Sequence, residues 1–147
     1  MLSLDANILF YAAHKAAGPR HLLAQQLLRD AAGPNAALTE QVLFEFFHAA
    51  TRKGKVPVSD AAIIVRELLK NFSLLLPHRA AVEDAVGLLS RHQLSIWDAR
   101  LLAVCDAHGC DHLFSEDMQD GARYGNVRVV NPFNPANAGI VTQALSP

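Results

Sequence analysis

The chain has 147 residues, of which 51% are hydrophobic and 18% charged, and its formal net charge is −1. That length suits one domain with a substantial core, and no apolar run approaches the roughly 20 residues needed to span a bilayer. A net charge this close to zero argues against nucleic-acid binding through bulk positive charge alone. It does not bear on a local acidic site balanced by a bound ion. The two cysteines, Cys105 and Cys110, give no disulfide framework, so the expected compartment is a reducing cytoplasm. The opening residues lack a basic leader and a cleavage site, and no signal peptide is expected.

Leu2 to Leu4 form a short apolar run that stops at Asp5. Asn7 follows, and apolar residues then resume at helical spacing through Ile8, Leu9, Tyr11 and Ala12. This pattern predicts a buried strand ending in a carboxylate, followed directly by a helix. Ligands of open α/β sheets bind beyond the carboxyl ends of the strands, although Asp5 taken alone is explained as a helix cap. Gly18-Pro19 breaks the chain before a second helix from about Arg20, with Leu23, Leu27, Leu28 and Ala31 as its stripe. Gly33-Pro34 ends it. Ala36 to Leu38 is a second strand, and Thr39 caps a long helix from Glu40 to about Lys53, stopped by Gly54. A helix from Ser59 turns Ile64, Val65, Leu68 and Leu69 inward, and Ser73 to Leu76 is a third strand closed by Pro77.

The next helix carries Val82, Ala85, Val86 and Leu89 and runs to about His92. Ser95 opens another, with Trp97, Leu101, Val104 and Cys105 at core spacing and Gly109 as its end. His112 to Ser115 and Val127 to Val130 are the fourth and fifth strands. From Asn131 onward the prolines and asparagines predict an irregular segment wrapped over the surface. Short apolar strands separated by helices imply βαβ units, hence an α/β fold whose mostly parallel, five-stranded sheet is covered on both faces. Residues 1–133 form the expected domain and 134–147 an irregular tail.

Among the 14 acidic residues, four sit where a solvated helix face does not explain them. Glu45 lies in Val42-Leu43-Phe44-Glu45-Phe46-Phe47 and shares a face with Val42, Phe46 and Ala49. No lysine or arginine stands three or four residues away. Burying an unpaired carboxylate costs several kcal/mol or more, so Glu45 is the most telling single acid. Asp98, in Ser95-Ile96-Trp97-Asp98, resembles a capping-box residue, and Asp117 follows the fourth strand as a turn residue would. As a set, Asp5, Glu45, Asp98 and Asp117 can converge at one rim of a doubly wound sheet. Clustered carboxylates need a cation, since like charges raise one another's pKa. Hard oxygen ligands select Mg²⁺ or Mn²⁺, and such sites serve phosphodiester chemistry.

At these positions the chain resembles the PIN-domain ribonucleases, and among them the VapC-like toxins of bacterial toxin–antitoxin pairs. The matching segments are Leu4-Asp5-Ala6-Asn7-Ile8-Leu9, Thr39 to Phe46, Ser95-Ile96-Trp97-Asp98-Ala99, Leu113 to Gly121 and Asn131-Pro132-Phe133. The resemblance implies a three-layer α/β/α fold and an acidic metal cluster of Asp5, Glu45, Asp98 and Asp117, supported by Asn7 and Ser115. It implies metal-dependent endoribonuclease activity with Mg²⁺ or Mn²⁺. Water attacks the phosphorus of single-stranded RNA in line, leaving a 5′-phosphate and a 3′-hydroxyl. A homodimer and a small cognate antitoxin are the implied partners, with no membrane. Glu116 and Asp120 are extra acids whose part is left open.

Three alternatives bear weighing. A catalytically inactive PIN-like RNA- or protein-binding module keeps the fold without the chemistry. A haloacid-dehalogenase-type phosphotransferase wants a second aspartate where Asn7 stands, and a receiver domain wants one ending the third strand, where Ser73 to Pro77 has none. Cys105, His108, Cys110 and His112 spell a zinc-like spacing. They span a helix end, a turn and a strand start, however, and Cys105 falls on the apolar stripe. Arg52, Lys53 and Lys55 suit a helix C-terminus or, less simply, an RNA backbone. Arg100 can reach a phosphate or a nearby acid, and Trp97 can fill core or stack on a base.

Overall fold

Strands too short to stand alone are gathered into one sheet by the helices between them. The computed structural model describes residues 1–146. In chain order the elements are β1 (Leu2–Leu4), α1 (Ala6–Ala13), α2 (Pro19–Ala31), β2 (Ala36–Thr39), α3 (Glu40–Arg52), α4 (Val58–Asn71) and β3 (Ser73–Leu75). They continue with α5 (Arg79–Arg91), α6 (Ile96–Ala107), β4 (His112–Phe114), β5 (Arg123–Tyr124), β6 (Val127–Val130) and α7 (Ala138–Leu145). The strand order is β3-β2-β1-β4-β6-β5. Every pairing is parallel except β5 with β6.

Right-handed crossovers put α1 to α4 on one face of this sheet and α5 and α6 on the other. The packing agrees: α1 lies against α2 and α3, α3 against α4, and α5 against α6. β1 is therefore covered on both sides, and Leu2, Ser3 and Leu4 are all buried. The chain leaves β1 toward β2 and later returns to its other side at β4. That reversal opens a crevice beyond the carboxyl ends of β1 and β4, where α/β sheets bind ligands. The expected α/β fold with a mostly parallel sheet is present.

Several details differ from expectation. The sheet has six strands, because Arg123–Tyr124 pairs antiparallel with β6 through a Gly125-Asn126 turn. Two residues are too few for any periodicity to register. The segment after Asn131 is not irregular throughout. A 3₁₀ turn (Pro135–Asn137) leads into α7, whose Ile140, Val141, Ala144 and Leu145 pack on the core. The asparagines that suggested disorder build a bracket around Asp120. Its carboxylate accepts from the Asn131 amide at 2.9 Å, Asn134 Nδ2 at 3.0 Å and Asn137 Nδ2 at 2.9 Å.

Val82 and Val86 face solvent, because α5 carries two parallel apolar rows and buries the one made by Ala81, Ala85 and Leu88. Periodicity alone cannot choose between such rows. Trp97 was expected in the core but overhangs the rim at the start of α6 and is 59% exposed. Among the would-be zinc ligands, Cys105 and Cys110 are buried free thiols close enough to perturb each other, which pushes the Cys105 pKa up and the Cys110 pKa down. His108 bonds the Leu76 carbonyl at 2.9 Å and His112 pairs with Asp111 at 3.0 Å.

The β5–β6 turn depends on its glycine. Gly125 has φ +61°, and a Cβ there would collide with the Asp106 carboxylate. That carboxylate accepts from both the backbone and side-chain nitrogens of Asn126 at 3.0 Å. Gly125→Ala is expected to cost about 1–3 kcal/mol of stability, read as a lower urea midpoint with unchanged m-value.

Candidate active site

Asp5 ends the central strand and begins α1. Its extended backbone makes it the N-cap, and Oδ1 accepts from the Ala6 amide at 2.7 Å. Oδ2 accepts from Ser115 Oγ at 2.6 Å, across the crevice between β1 and β4. The side chain is only 8% exposed. Burial disfavours the ionised form and raises the Asp5 pKa from 3.8 to about 6, against the lowering effect of the Ser115 and Ala6 hydrogen bonds. The carboxylates of Glu45 and Asp117 push it further in the same direction. Asp5 is thus both a cap and a perturbed acid in a crevice, the pairing that marks functional carboxylates.

Ser115 follows β4 and joins two acids. It donates to Asp5, and its oxygen accepts from the Asp117 backbone amide at 3.3 Å. Asn7, in the first turn of α1, donates Nδ2 to Asp117 Oδ2 at 3.1 Å. The opposite atom of that amide, Asn7 Oδ1, is buried with no hydrogen-bond partner among the described residues. Such an orphan acceptor costs roughly 1–3 kcal/mol unless something else meets it.

Glu45 comes from α3 and is half-buried, not fully enclosed as its apolar neighbours implied. Its partner is neutral. Gln41, one turn earlier, donates Nε2 to Glu45 Oε1 at 2.8 Å and to the Trp97 carbonyl at 3.0 Å. The Gln41 carbonyl oxygen accepts from Arg100 Nη1 at 3.0 Å, and Arg100 lies 3.7 Å from Glu40. Asp98 is placed by its own cap, its amide donating to Ser95 Oγ at 3.0 Å. It adjoins the group through Trp97, the residue before it. Direct hydrogen bonds therefore unite Asp5, Ser115, Asp117 and Asn7, and Glu45 lies close enough to act on Asp5. Asp98 stands at the edge with no bond to another acid among the described residues.

Two features had little or no signature in the chain. Gln41 has only a weak signature: an amide at i−4 on the same helix face as a carboxylate is a recognised partner, but it carries no charge to mark it. Arg20 pairs with Glu116 across the fold, with Nε 3.0 Å from both carboxylate oxygens. Its guanidinium lies 6.0 Å from the Tyr11 ring and 5.5 Å from that of Phe133. This pair holds the Glu116 carboxyl below its ordinary range and braces the loop that carries Ser115 and Asp117. Nothing local links Arg20 to Glu116 in sequence. The two acids left open thus have structural partners: Glu116 has Arg20, and Asp120 has the asparagine bracket.

Among the described residues, no lysine, arginine or histidine is paired with Asp5, Glu45, Asp98 or Asp117. No three His, Cys, Asp or Glu side chains are drawn close enough to hold a metal ion as they stand. The acids rest instead on neutral donors: a hydroxyl, an amide and a backbone N–H. The carboxylates and the unpartnered Asn7 Oδ1 offer only hard oxygen atoms, and no cationic side chain among the described residues offsets their charge, so the chemistry of the set fits a hard divalent cation.

The raised acid has a measurable consequence. With a chelator present, folded Asp5 holds its proton more tightly than the unfolded chain does. Its contribution to stability is present below the unfolded value of 3.8 and lost as pH rises through about 6. Urea unfolding across that window should show the loss, on the order of 3 kcal/mol. Asp5→Asn should flatten it, and Ser115→Ala, which removes a bond favouring the ionised form, should move it to higher pH.

Comparison with known proteins agrees with this architecture. The PIN domain family model matches residues 2–120. Ribonuclease VapC24 of Mycobacterium tuberculosis is 29% identical over 143 residues, an alignment covering 90% of this chain and 97% of the relative. A toxin–antitoxin complex from Klebsiella pneumoniae contains a chain of similar structure, with TM-score 0.66, 24% identity and coverage of 90% of this chain and 98% of that one. Mycobacterium tuberculosis VapC20, a toxin that cleaves the sarcin–ricin loop, superposes with TM-score 0.65 at 21% identity, covering 80% and 92%. The family model spans most of the chain, including Asp5, Glu45, Asp98 and Asp117, and this protein belongs to the PIN-domain family.

Proposed function

We propose that this chain is a metal-dependent endoribonuclease that hydrolyses single-stranded RNA, acting as the toxin of a toxin–antitoxin pair. The observation that carries the reading is Asp5. It is a buried carboxylate at the β1–β4 crevice, raised to about 6, with Glu45 and Asp117 beside it and no counter-ion among the described residues. The similarity to ribonuclease VapC24 supports the substrate class, and the structural likeness to a toxin–antitoxin complex fits a small antitoxin as partner. A homodimer and a cytoplasmic location belong to the same reading.

In this mechanism Asp5, Glu45, Asp98 and Asp117 would hold Mg²⁺ or Mn²⁺. When bound, the cation supplies Lewis-acid stabilisation of phosphoryl oxygens and makes water a stronger nucleophile near neutral pH. Ser115 and the Ala6 amide fix the Asp5 carboxylate in one orientation while it is ionised. Asn7 holds Asp117 by one oxygen and leaves the other free. Gln41 does the same for Glu45. Water attacks phosphorus in line, the 3′-oxygen departs with a proton as a hydroxyl, and a 5′-phosphate remains.

Among the described residues no three carboxylates are gathered closely enough to hold an ion as they stand, which favours a second reading, a non-catalytic PIN-like module that binds RNA or protein. One assay separates them. The wild-type protein should cleave a single-stranded RNA pool with Mg²⁺ or Mn²⁺ and stop on chelation. Asp5→Ala and Asp98→Ala should lose at least about 100-fold in rate while staying folded by circular dichroism, as ligand loss in a metal site implies. A folded wild type that cleaves no RNA with either metal supports the module, and variants as fast as wild type overturn the assignment of these acids.

A further inference from the structure

Beside the acidic crevice, α3 and the first turn of α6 enclose an open cleft of about 640 Å³, lined by Gln41, Phe44, Glu45, Lys53, Trp97 and Arg100 among others. That volume suits a small organic ligand or one unit of a polymer. Two of its walls are unusual. Phe44 is 67% exposed and Trp97 is 59% exposed, although both occur in apolar runs that would otherwise be buried. Each leaves a large aromatic surface in water on the same cleft.

The cleft is joined to the candidate active site by one side chain. The Gln41 amide nitrogen donates both to Glu45 Oε1 and to the Trp97 carbonyl. The same amide fixes Arg100 through its oxygen. Trp97, Glu45 and Arg100 are therefore held in register about a single group, and whatever lies on Trp97 is one amide away from a catalytic carboxylate. Lys53 closes the far side at the C-cap of α3, with Arg52 and Lys55 next to it.

We propose that this cleft is a nucleotide subsite, in which Trp97 and Phe44 stack an unpaired base of the RNA and Lys53 and Arg100 meet the adjoining phosphates. The inference rests on the endoribonuclease reading for the identity of the polymer. Exposed aromatic faces beside cationic side chains are how single strands are held without sequence readout; here Lys53 and Arg100 share the lining with Glu40 and Glu45, and Glu40 pairs with Arg100. Continuity with the candidate active site through Gln41 and Glu45, and two exposed aromatic faces on one cleft, favour RNA here over a protein partner. The neighbouring hollow between α5 and α6, lined by Val82, Val86 and Ile96, has far less polar lining and is the more protein-like surface.

Trp97 is the chain's single tryptophan, so its fluorescence reports on this cleft alone. Full-length protein with chelator is titrated with an end-labelled, mixed-sequence single-stranded RNA pool, following both Trp97 emission and RNA anisotropy. Saturable quenching is expected. Trp97→Ala and Phe44→Ala should each weaken binding by about 5- to 100-fold, with Trp97→Phe restoring most of it. Lys53→Ala should lower the slope of log affinity against log salt by about 0.7. Wild-type protein that does not bind the pool, or Trp97→Ala and Phe44→Ala proteins that bind it as wild type does, would overturn the subsite. So would conversion of a dimer to monomers by these substitutions with affinity per protomer unchanged, since the face would then be an interface between copies. The two readings fail separately. Trp97-dependent binding without metal-dependent cleavage sinks the enzyme but keeps the subsite, and cleavage with Trp97-independent binding does the reverse.

Discussion

Asp5 ends the central strand of the sheet with its carboxylate largely stripped of water. Desolvation of that kind is tolerable only where hydrogen-bond donors or a cation replace the lost solvent. The fold supplies two donors, the Ala6 amide at the start of α1 and the Ser115 hydroxyl beyond β4. Their positions follow from strand pairing. β1 and β4 are adjacent and parallel, with Leu4 opposite Phe114, so the residues that follow, Asp5 and Ser115, face each other across the rim. The crevice is thus a consequence of strand order, and a shift of register would dissolve it.

The same constraint explains the surrounding groups. With no counter-ion among the described residues, each acid rests on a neutral partner. Asp117 takes Asn7, Glu45 takes Gln41, and Asp98 stays at the edge on its cap. Neutral donors orient a carboxylate without cancelling its charge, so the proposed site keeps the negative charge that a hard cation would meet. The Arg20–Glu116 pair, over the rings of Tyr11 and Phe133, braces the 115–118 loop from the outside. Arg20 is thus spent on Glu116, a residue outside the proposed cluster.

Much of this was legible in the chain because it depends on local pattern. Leu2 to Leu4 followed by Asp5, and Ala36 to Leu38 followed by Thr39, are apolar runs stopped by a cap, and both became strand–helix junctions. What escaped depends on contacts distant in sequence or on a choice between equal options. Glu45 looked buried because its neighbours are apolar, but the helix turns it toward the cleft and Gln41 meets it. The true buried acid is Asp5, whose enclosure comes from β4, over a hundred residues away. Trp97 looked like core for the same reason as Glu45, since spacing does not tell which apolar row a helix turns inward. The asparagine-rich end read as irregular, and only the position of Asp120 reveals why those amides are there.

The central claim is that Asp5 belongs to an all-oxygen cation site and must ionise to serve it. The most direct test is the proton count of metal binding. Calorimetric titration of the folded protein with Mn²⁺ or Mg²⁺ near pH 5.5, in buffers of differing ionisation enthalpy, measures it. An acid raised to about 6 should release most of one proton on binding, and Asp5→Asn should abolish that release and weaken binding. Metal binding of undiminished strength in Asp5→Asn, or binding by wild type with no proton released, would contradict it.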